Sequence, residues 1–142
     1  MGLKQASTPV FDGKARHILT FGIGAGVPMG ISELQQALRQ FAADRDWGQF
    51  HTPKNLATAL SIEAAEVLEH FQWLTDEQSR SLPPEIREKV GHEIADVFLY
   101  LLQLADQLEI DPLKVAADKL ALNADKYPVE KAKGSSKKYT EL

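Results

Sequence analysis

The sequence predicts an all-α protein built on four main helices. Three observations carry this. Apolar residues recur at helical spacing through four segments, each segment is punctuated by capping residues or prolines, and no convincing strand pattern interrupts them. With 142 residues the chain has room for one domain with a modest core and not for a second. Its 44% hydrophobic and 25% charged residues are those of a folded chain rather than a disordered one.

Residues 1–30 hold six of the nine glycines together with Pro9 and Pro28, which predicts an irregular, flexible N-terminal arm. Gly22, Gly24 and Gly26 lack the Lys-Ser/Thr and the strand-turn-helix setting that a phosphate loop needs. The helical unit is expected over residues 31–127. Ser32 with Gln35 forms a capping box for a first helix reaching about Arg45, with Leu34, Leu38 and Phe41 inward. Thr52 caps a second helix with Pro53 at its first position, extending to Trp73 or Leu74. The polar residues 75–84 predict a loop ending in two prolines, and a third helix follows from Glu85 to about Gln107. Asp111 and Pro112 open a fourth helix, which stops before Pro128 because the residue ahead of a proline resists helical angles. Residues 128–142, with Lys131, Lys133, Lys137 and Lys138, predict a solvated basic tail.

The absence of cysteine removes disulfides, thiolate zinc sites and cysteine nucleophiles, so any metal must take oxygen or imidazole ligands. No apolar run approaches the roughly 20 residues of a spanning helix and no signal-like segment opens the chain, so no membrane partner and a cytoplasmic location are expected. A net charge of −4 argues against coating nucleic acid, which requires surplus lysine and arginine. A small polyanion remains compatible with that charge if cations mediate.

The acids of the second and third helices lie on an unexpected face. At roughly 100° per residue, Glu63 shares its stripe with Leu56, Ala59, Leu60, Glu66, Val67 and His70. Glu93 shares its own with Ile86, Lys89, Val90, Asp96, Val97 and Tyr100. Most Glu-x-x-Glu pairs on helices are simply solvated or paired with lysines. Here two acids at i and i+3 sit within an apolar stripe, where their repulsion is about 3 kcal/mol at an effective dielectric near 20. Lys89 alone does not balance four carboxylates. Divalent cations do, and an all-oxygen donor set selects Mg²⁺, with Mn²⁺ as a substitute. A di-iron bundle would need Glu-x-x-His on two helices, and His70 and His92 are not at those offsets. His70 is left as either a supporting partner of the site or an ordinary packed histidine.

These residues resemble the all-alpha nucleoside triphosphate pyrophosphatases of the MazG type, in particular the dCTP pyrophosphatase branch. The resemblance rests on Glu63-x-x-Glu66 followed by Glu93-x-x-Asp96. It is supported by Trp47 after Phe41-Ala-Ala-Asp-Arg-Asp, by Phe50-His51, Phe71-Gln-Trp73, Tyr100, Tyr127-Pro128 and the Lys138-Tyr-Thr-Glu-Leu142 tail. It implies a MazG-like helical bundle, assembled into dimers or tetramers. It also implies hydrolysis of dCTP or a modified cytosine nucleotide to the monophosphate and pyrophosphate, as in nucleotide-pool sanitation, with Glu63, Glu66, Glu93 and Asp96 as metal ligands. Glu66, with Glu63 beside it, is matched as the catalytic carboxylate that takes a proton from the attacking water.

Lys119, Asn123 and Lys126 share a face of the fourth helix and match the family's phosphate-contacting segment, although Ala124-Asp125 makes it less basic here. A solvated helix face is the plain reading of the two lysines without the resemblance. Trp47, His51, Trp73 and Tyr100 are the candidates for the base and sugar pocket, and Phe50 and Phe71 are assigned to the core. Ala57, Ser61, Ala64, Ala65 and Leu68 on one helix, and Phe98, Leu99 and Leu102 on the other, lie opposite the acids. Four helices of this length do not cover all these faces, so a homo-oligomer is expected. The alternatives are a broad-range NTP or dUTP/dITP pyrophosphohydrolase and, in another class, a non-catalytic helical binding module.

Overall fold

A computed structural model describes residues 29–141. The glycine run at 22–26 and nearly all of the expected arm, and Leu142 of the tail, lie outside the described residues. Six α-helices follow one another: α1 (Ile31–Ala43), α2 (Pro53–Glu69), α3 (Asp76–Ser79), α4 (Pro84–Gln107), α5 (Pro112–Lys126) and α6 (Val129–Ala132). Single 3-10 turns stand at Trp47–Gln49 and Tyr139–Glu141, and no strand occurs among the described residues. The fold is all-α, with α1, α2, α4 and α5 as its four long helices.

Local chemistry sets most of the boundaries. Thr52 Oγ1 accepts the Asn55 N–H at 3.3 Å, and Pro53 occupies the first helical position of α2. Asp111 Oδ1 accepts the N–H groups of both Leu113 and Lys114 at 3.0 Å and so starts α5. Three boundaries differ from expectation. Gly30, not Ser32, caps α1, because the Glu33 carboxylate reaches back to accept the Gly30 N–H at 2.7 Å, a charge-assisted bond at the positive end of the helix. α2 ends at Glu69 rather than at Trp73 or Leu74: His70 and Phe71 donate to the carbonyls of Val67 and Leu68, tightening the chain into turns. The expected loop contains α3, opened by Thr75 and Gln78 in a reciprocal capping box.

The packed unit is α1, α2 and α4, with α2 running along α4 and α1 resting on α4 as well. Leu56 and Leu102 are fully buried at its centre, and Val90 and Ala105 are buried beside them. Leu102 was expected to need a second subunit, but α1 covers that side of α4, where Arg39 pairs with Asp106 one turn beyond Leu102. Phe50, expected in the core, is 58% exposed, since the 3-10 turn before it carries its ring outward.

α5 makes little contact with this unit, and every residue from Leu113 to Tyr127 is exposed. Its apolar side chains Leu113, Leu120 and Leu122 are uncovered, as are Ile62 and Leu68 on α2 and Ile94 and Phe98 on α4. The far end of the tail is less free than expected. Tyr139 packs edge-on against Tyr127 with ring centres 5.9 Å apart, and the Lys126 ammonium lies 5.2 Å from the centre of the Tyr139 ring. No helix among the described residues is long and apolar enough to cross a membrane.

Candidate active site

The carboxylate stripes expected on two helices meet. Glu63 points inward from α2 and Glu93 inward from α4, among the half-buried residues Ala59, Leu60 and Val67 on one side and Val97 and Tyr100 on the other. Carboxylate oxygens of Glu63, Glu66 and Glu93 all lie within 4.8 Å of one another. Asp96 stands just outside that trio, close enough for its charge to act on both Glu63 and Tyr100.

The electrostatics follow from this crowding. Burial, then the charges of Glu66, Asp96 and Glu93, push the Glu63 carboxyl above its ordinary range. Every charge acting on it is negative, and Lys89 is exposed. Burial and the charges of Glu63 and Asp96 push the Tyr100 phenol up as well, so it stays protonated and can donate a hydrogen bond. Glu66 and Asp96 are exposed to solvent, and positive charge held among the carboxylates would relieve the repulsion on Glu63. The donor chemistry of the cluster, carboxylate oxygen only, fits a hard divalent cation.

The aromatic candidates divide. The Trp47 ring sits 5.7 Å from Phe41 in an edge-on arrangement and 5.8 Å from His51, with the Arg45 guanidinium 3.6 Å over the Phe41 ring. Burial lowers the His51 imidazole, leaving it neutral near pH 7, with one nitrogen to donate and one to accept. Trp73 is 86% exposed beyond the other end of α2. The helix between them rises roughly 25 Å, so a single chain does not bring Trp47 and Trp73 to one nucleotide. Lys119, Asn123 and Lys126 share an exposed face of α5, and Lys126 is engaged with Tyr139. The structure does not bring them to the carboxylates within one chain.

About two helical turns from the carboxylates lies a shallow cleft that sequence reasoning did not foresee. Gln35, Leu38, Arg39 and Ala42 from α1, His51 just before α2, Leu56 in its first turn, and Gln103, Asp106 and Gln107 from α4 line it. The shared cleft joins the beginning of α2 to the end of α4, so the two helices run antiparallel. The signal was present in the sequence, because Gln103 falls one turn after Tyr100 on the face that carries Asp96.

Fold and site together define the class: a small all-helical protein with an acidic centre of the kind a divalent cation neutralises. The chain belongs to the MazG-like family, whose model matches residues 58–142, a span that includes all four acids. Over 114 residues it is 38% identical to dCTP pyrophosphatase 1 of Mus musculus and 39% identical to dCTP pyrophosphatase 1 of Homo sapiens. Each match takes in 79% of this chain and 67% of the relative. A pyrophosphatase from Archaeoglobus fulgidus has a similar structure, with a TM-score of 0.63 and 42% sequence identity, covering 72% of this chain and 95% of that one.

Proposed function

We propose that the chain is a nucleoside triphosphate pyrophosphohydrolase, converting dCTP or a modified cytosine deoxynucleotide to the monophosphate plus pyrophosphate. The observation that carries the reading is the convergence of Glu63, Glu66 and Glu93 from two helices, in a chain whose relatives are pyrophosphatases. Residues 31–127 form the catalytic unit in this reading, with residues 1–30 as an arm and 128–142 as a tail.

Glu63, Glu66, Glu93 and Asp96 would hold Mg²⁺, with Mn²⁺ able to replace it. Bound there, the ion supplies positive charge to the phosphate oxygens and Lewis acidity at the reacting centre. The chain's own groups do the rest. A water oxygen bonds to the α-phosphorus as the bridging bond from that phosphorus to the β-phosphate oxygen breaks, and pyrophosphate departs in line. Glu66 accepts the proton that the water loses, with Glu63 beside it. The Tyr100 phenol, kept protonated by burial and by its acidic neighbours, donates a hydrogen bond toward the sugar or phosphate. Trp47 and His51 border the nucleoside.

The uncovered apolar residues Ile62, Leu68, Phe98 and Leu120 favour a dimer or dimer-based tetramer. In that assembly Trp73, Lys119, Asn123 and Lys126 serve the site of a neighbouring copy, the lysines and the amide as phosphate contacts. Light scattering on the eluting protein checks this, and a monomer at micromolar concentration contradicts it. No nucleic acid or membrane partner is part of this reading, and it places the enzyme in the cytoplasm.

A panel of nucleotides assayed for pyrophosphate release with Mg²⁺ tests the function. Cytosine triphosphates should react fastest, and chelation should stop the reaction. Equal rates for purine and pyrimidine triphosphates would replace the cytosine preference with a broad-range activity. No pyrophosphate from any nucleotide, with the protein folded, would leave a non-catalytic binding module.

A further inference from the structure

Residues 44–52, between α1 and α2, contain a strained bend. Asp46 has φ 53° and ψ 35°, the left-handed conformation that side chains with a β-carbon disfavour. Gln49 secures it. Its Nε2 donates both to the Asp46 main-chain oxygen, at 3.1 Å, and to Asp46 Oδ2, at 2.9 Å. We propose that Asp46 and Gln49 are positioning residues, which hold Trp47 and His51 in the orientation that borders the nucleoside. The inference rests on that reading of Trp47 and His51.

The bend leads directly into the aromatic group. Trp47 follows Asp46, and its carbonyl accepts the N–H groups of Phe50 at 2.9 Å and His51 at 3.1 Å, so one turn of main chain sets the direction of both rings. The two rings end with their centres 5.8 Å apart, and Trp47 also meets Phe41 edge-on at 5.7 Å. Both flanks are anchored to the helices. Arg45 Nη1 donates to the Phe41 carbonyl at 3.0 Å, and Asn55 Nδ2 donates to the Phe50 carbonyl at 2.8 Å. Between these anchors the Gln49 amide is the side-chain tie that spans the bend among the described residues.

Backbone strain of this kind persists only where surrounding contacts over-determine it. Asp46 and Gln49 are exposed, and neither belongs to the carboxylate trio or lines the cleft. Their effect is therefore on conformation. Without the tie the bend relaxes, and it must then be ordered each time a nucleoside binds, which weakens substrate affinity. The carboxylates stand on α2 and α4, away from the bend, so turnover of bound substrate is spared.

The test is steady-state pyrophosphate release from dCTP with Mg²⁺ for wild type, Gln49→Glu, Asp46→Val, Trp47→Ala, and Asp46→Asn combined with Gln49→Glu. Gln49→Glu keeps the shape and replaces the donor with a second carboxylate. Asp46→Val places a β-branched side chain where φ is positive, and Gln49→Glu reads the same tie if that variant folds poorly. Each should raise KM about threefold or more and leave kcat within about twofold. In the combined variant the amide introduced at position 46 donates to the carboxylate introduced at position 49, so KM should return toward wild type. Trp47 emission is read with Trp73→Phe added, which leaves one tryptophan in the chain. It should shift to the red and quench faster with acrylamide in Gln49→Glu, and recover in the combined variant. A raised KM in Trp47→Ala with none in Gln49→Glu or Asp46→Val overturns the positioning role and leaves the nucleoside reading standing. A raised KM in Gln49→Glu with unmoved emission overturns it too, because Gln49 would then meet the substrate directly. An unchanged KM in Trp47→Ala overturns the reading of Trp47 and the inference with it, as does a folded wild type that releases no pyrophosphate.

Discussion

Glu63 on α2 and Glu93 on α4 bring their carboxylates together across the helix contact, within 4.8 Å of each other and of Glu66. Burial and these neighbours hold the Glu63 carboxyl above its ordinary value, so the folded protein binds that proton more readily than the unfolded chain. Its contribution to stability is complete below the ordinary glutamate value and is lost as pH rises through the raised one. At neutral pH the metal-free protein therefore carries an electrostatic cost at this position.

Glu63→Gln removes that cost. The variant should unfold a few degrees higher than wild type in chelator at pH 7, a gain on the order of 1 kcal/mol or less after solvent screening, while losing turnover. Thermal unfolding followed by circular dichroism measures it. A lower midpoint for the variant contradicts the crowding argument.

Mg²⁺ should reverse the balance in the wild type. At about a hundredfold excess over its dissociation constant the ion stabilises the fold by ~2.7 kcal/mol, raising the unfolding midpoint. Asp96→Asn should shrink that gain and reduce turnover at least ~100-fold, at or beyond the upper end of what disturbing a metal site's supporting partners costs. Full activity in Asp96→Asn would exclude it from the site.

His51 works with the opposite sign. Burial lowers its imidazole, so as pH drops the unfolded chain takes the proton first. Its stability contribution is whole above about pH 6.5 and is lost as pH falls through the lowered value. Urea unfolding at about pH 7.5 and pH 5.5 should show a smaller drop in His51→Gln than in wild type. Identical drops would mean that other groups set the acid limb.

Leu102 is fully buried where α1 covers α4. Leu102→Ala should cost about 2–5 kcal/mol in urea unfolding. Leu120→Ala, on the exposed face of α5, should cost under about 0.5 kcal/mol in a monomer and more if subunits cover it. Concentration dependence of the second value separates these two situations.

The sequence carried the four long helices well, because Thr52-Pro53, Pro83-Pro84 and Asp111-Pro112 are caps whose action depends on two or three adjacent residues. It carried the meeting of Glu63 with Glu93 for a similar reason: helical spacing alone places both on apolar stripes. It did not carry what depends on helix ends and helix order. The Glu33 back-bond to Gly30 and the Thr75–Gln78 box were overlooked because each rests on a side-chain choice between competing caps. The cleft at Gln103 required knowing that α1 crosses α4 near Asp106 and that α2 runs antiparallel to α4. The separation of Trp47 from Trp73 required the same knowledge, since angular position says nothing about which end of a helix a residue occupies.

The most direct test of the central claim is the fate of oxygen from isotopically labelled water during turnover of dCTP with Mg²⁺. Attack at the α-phosphorus beside the carboxylates places the heavy oxygen in the nucleoside monophosphate and leaves pyrophosphate unlabelled. Label in pyrophosphate, or release of single phosphates in its place, would contradict the account.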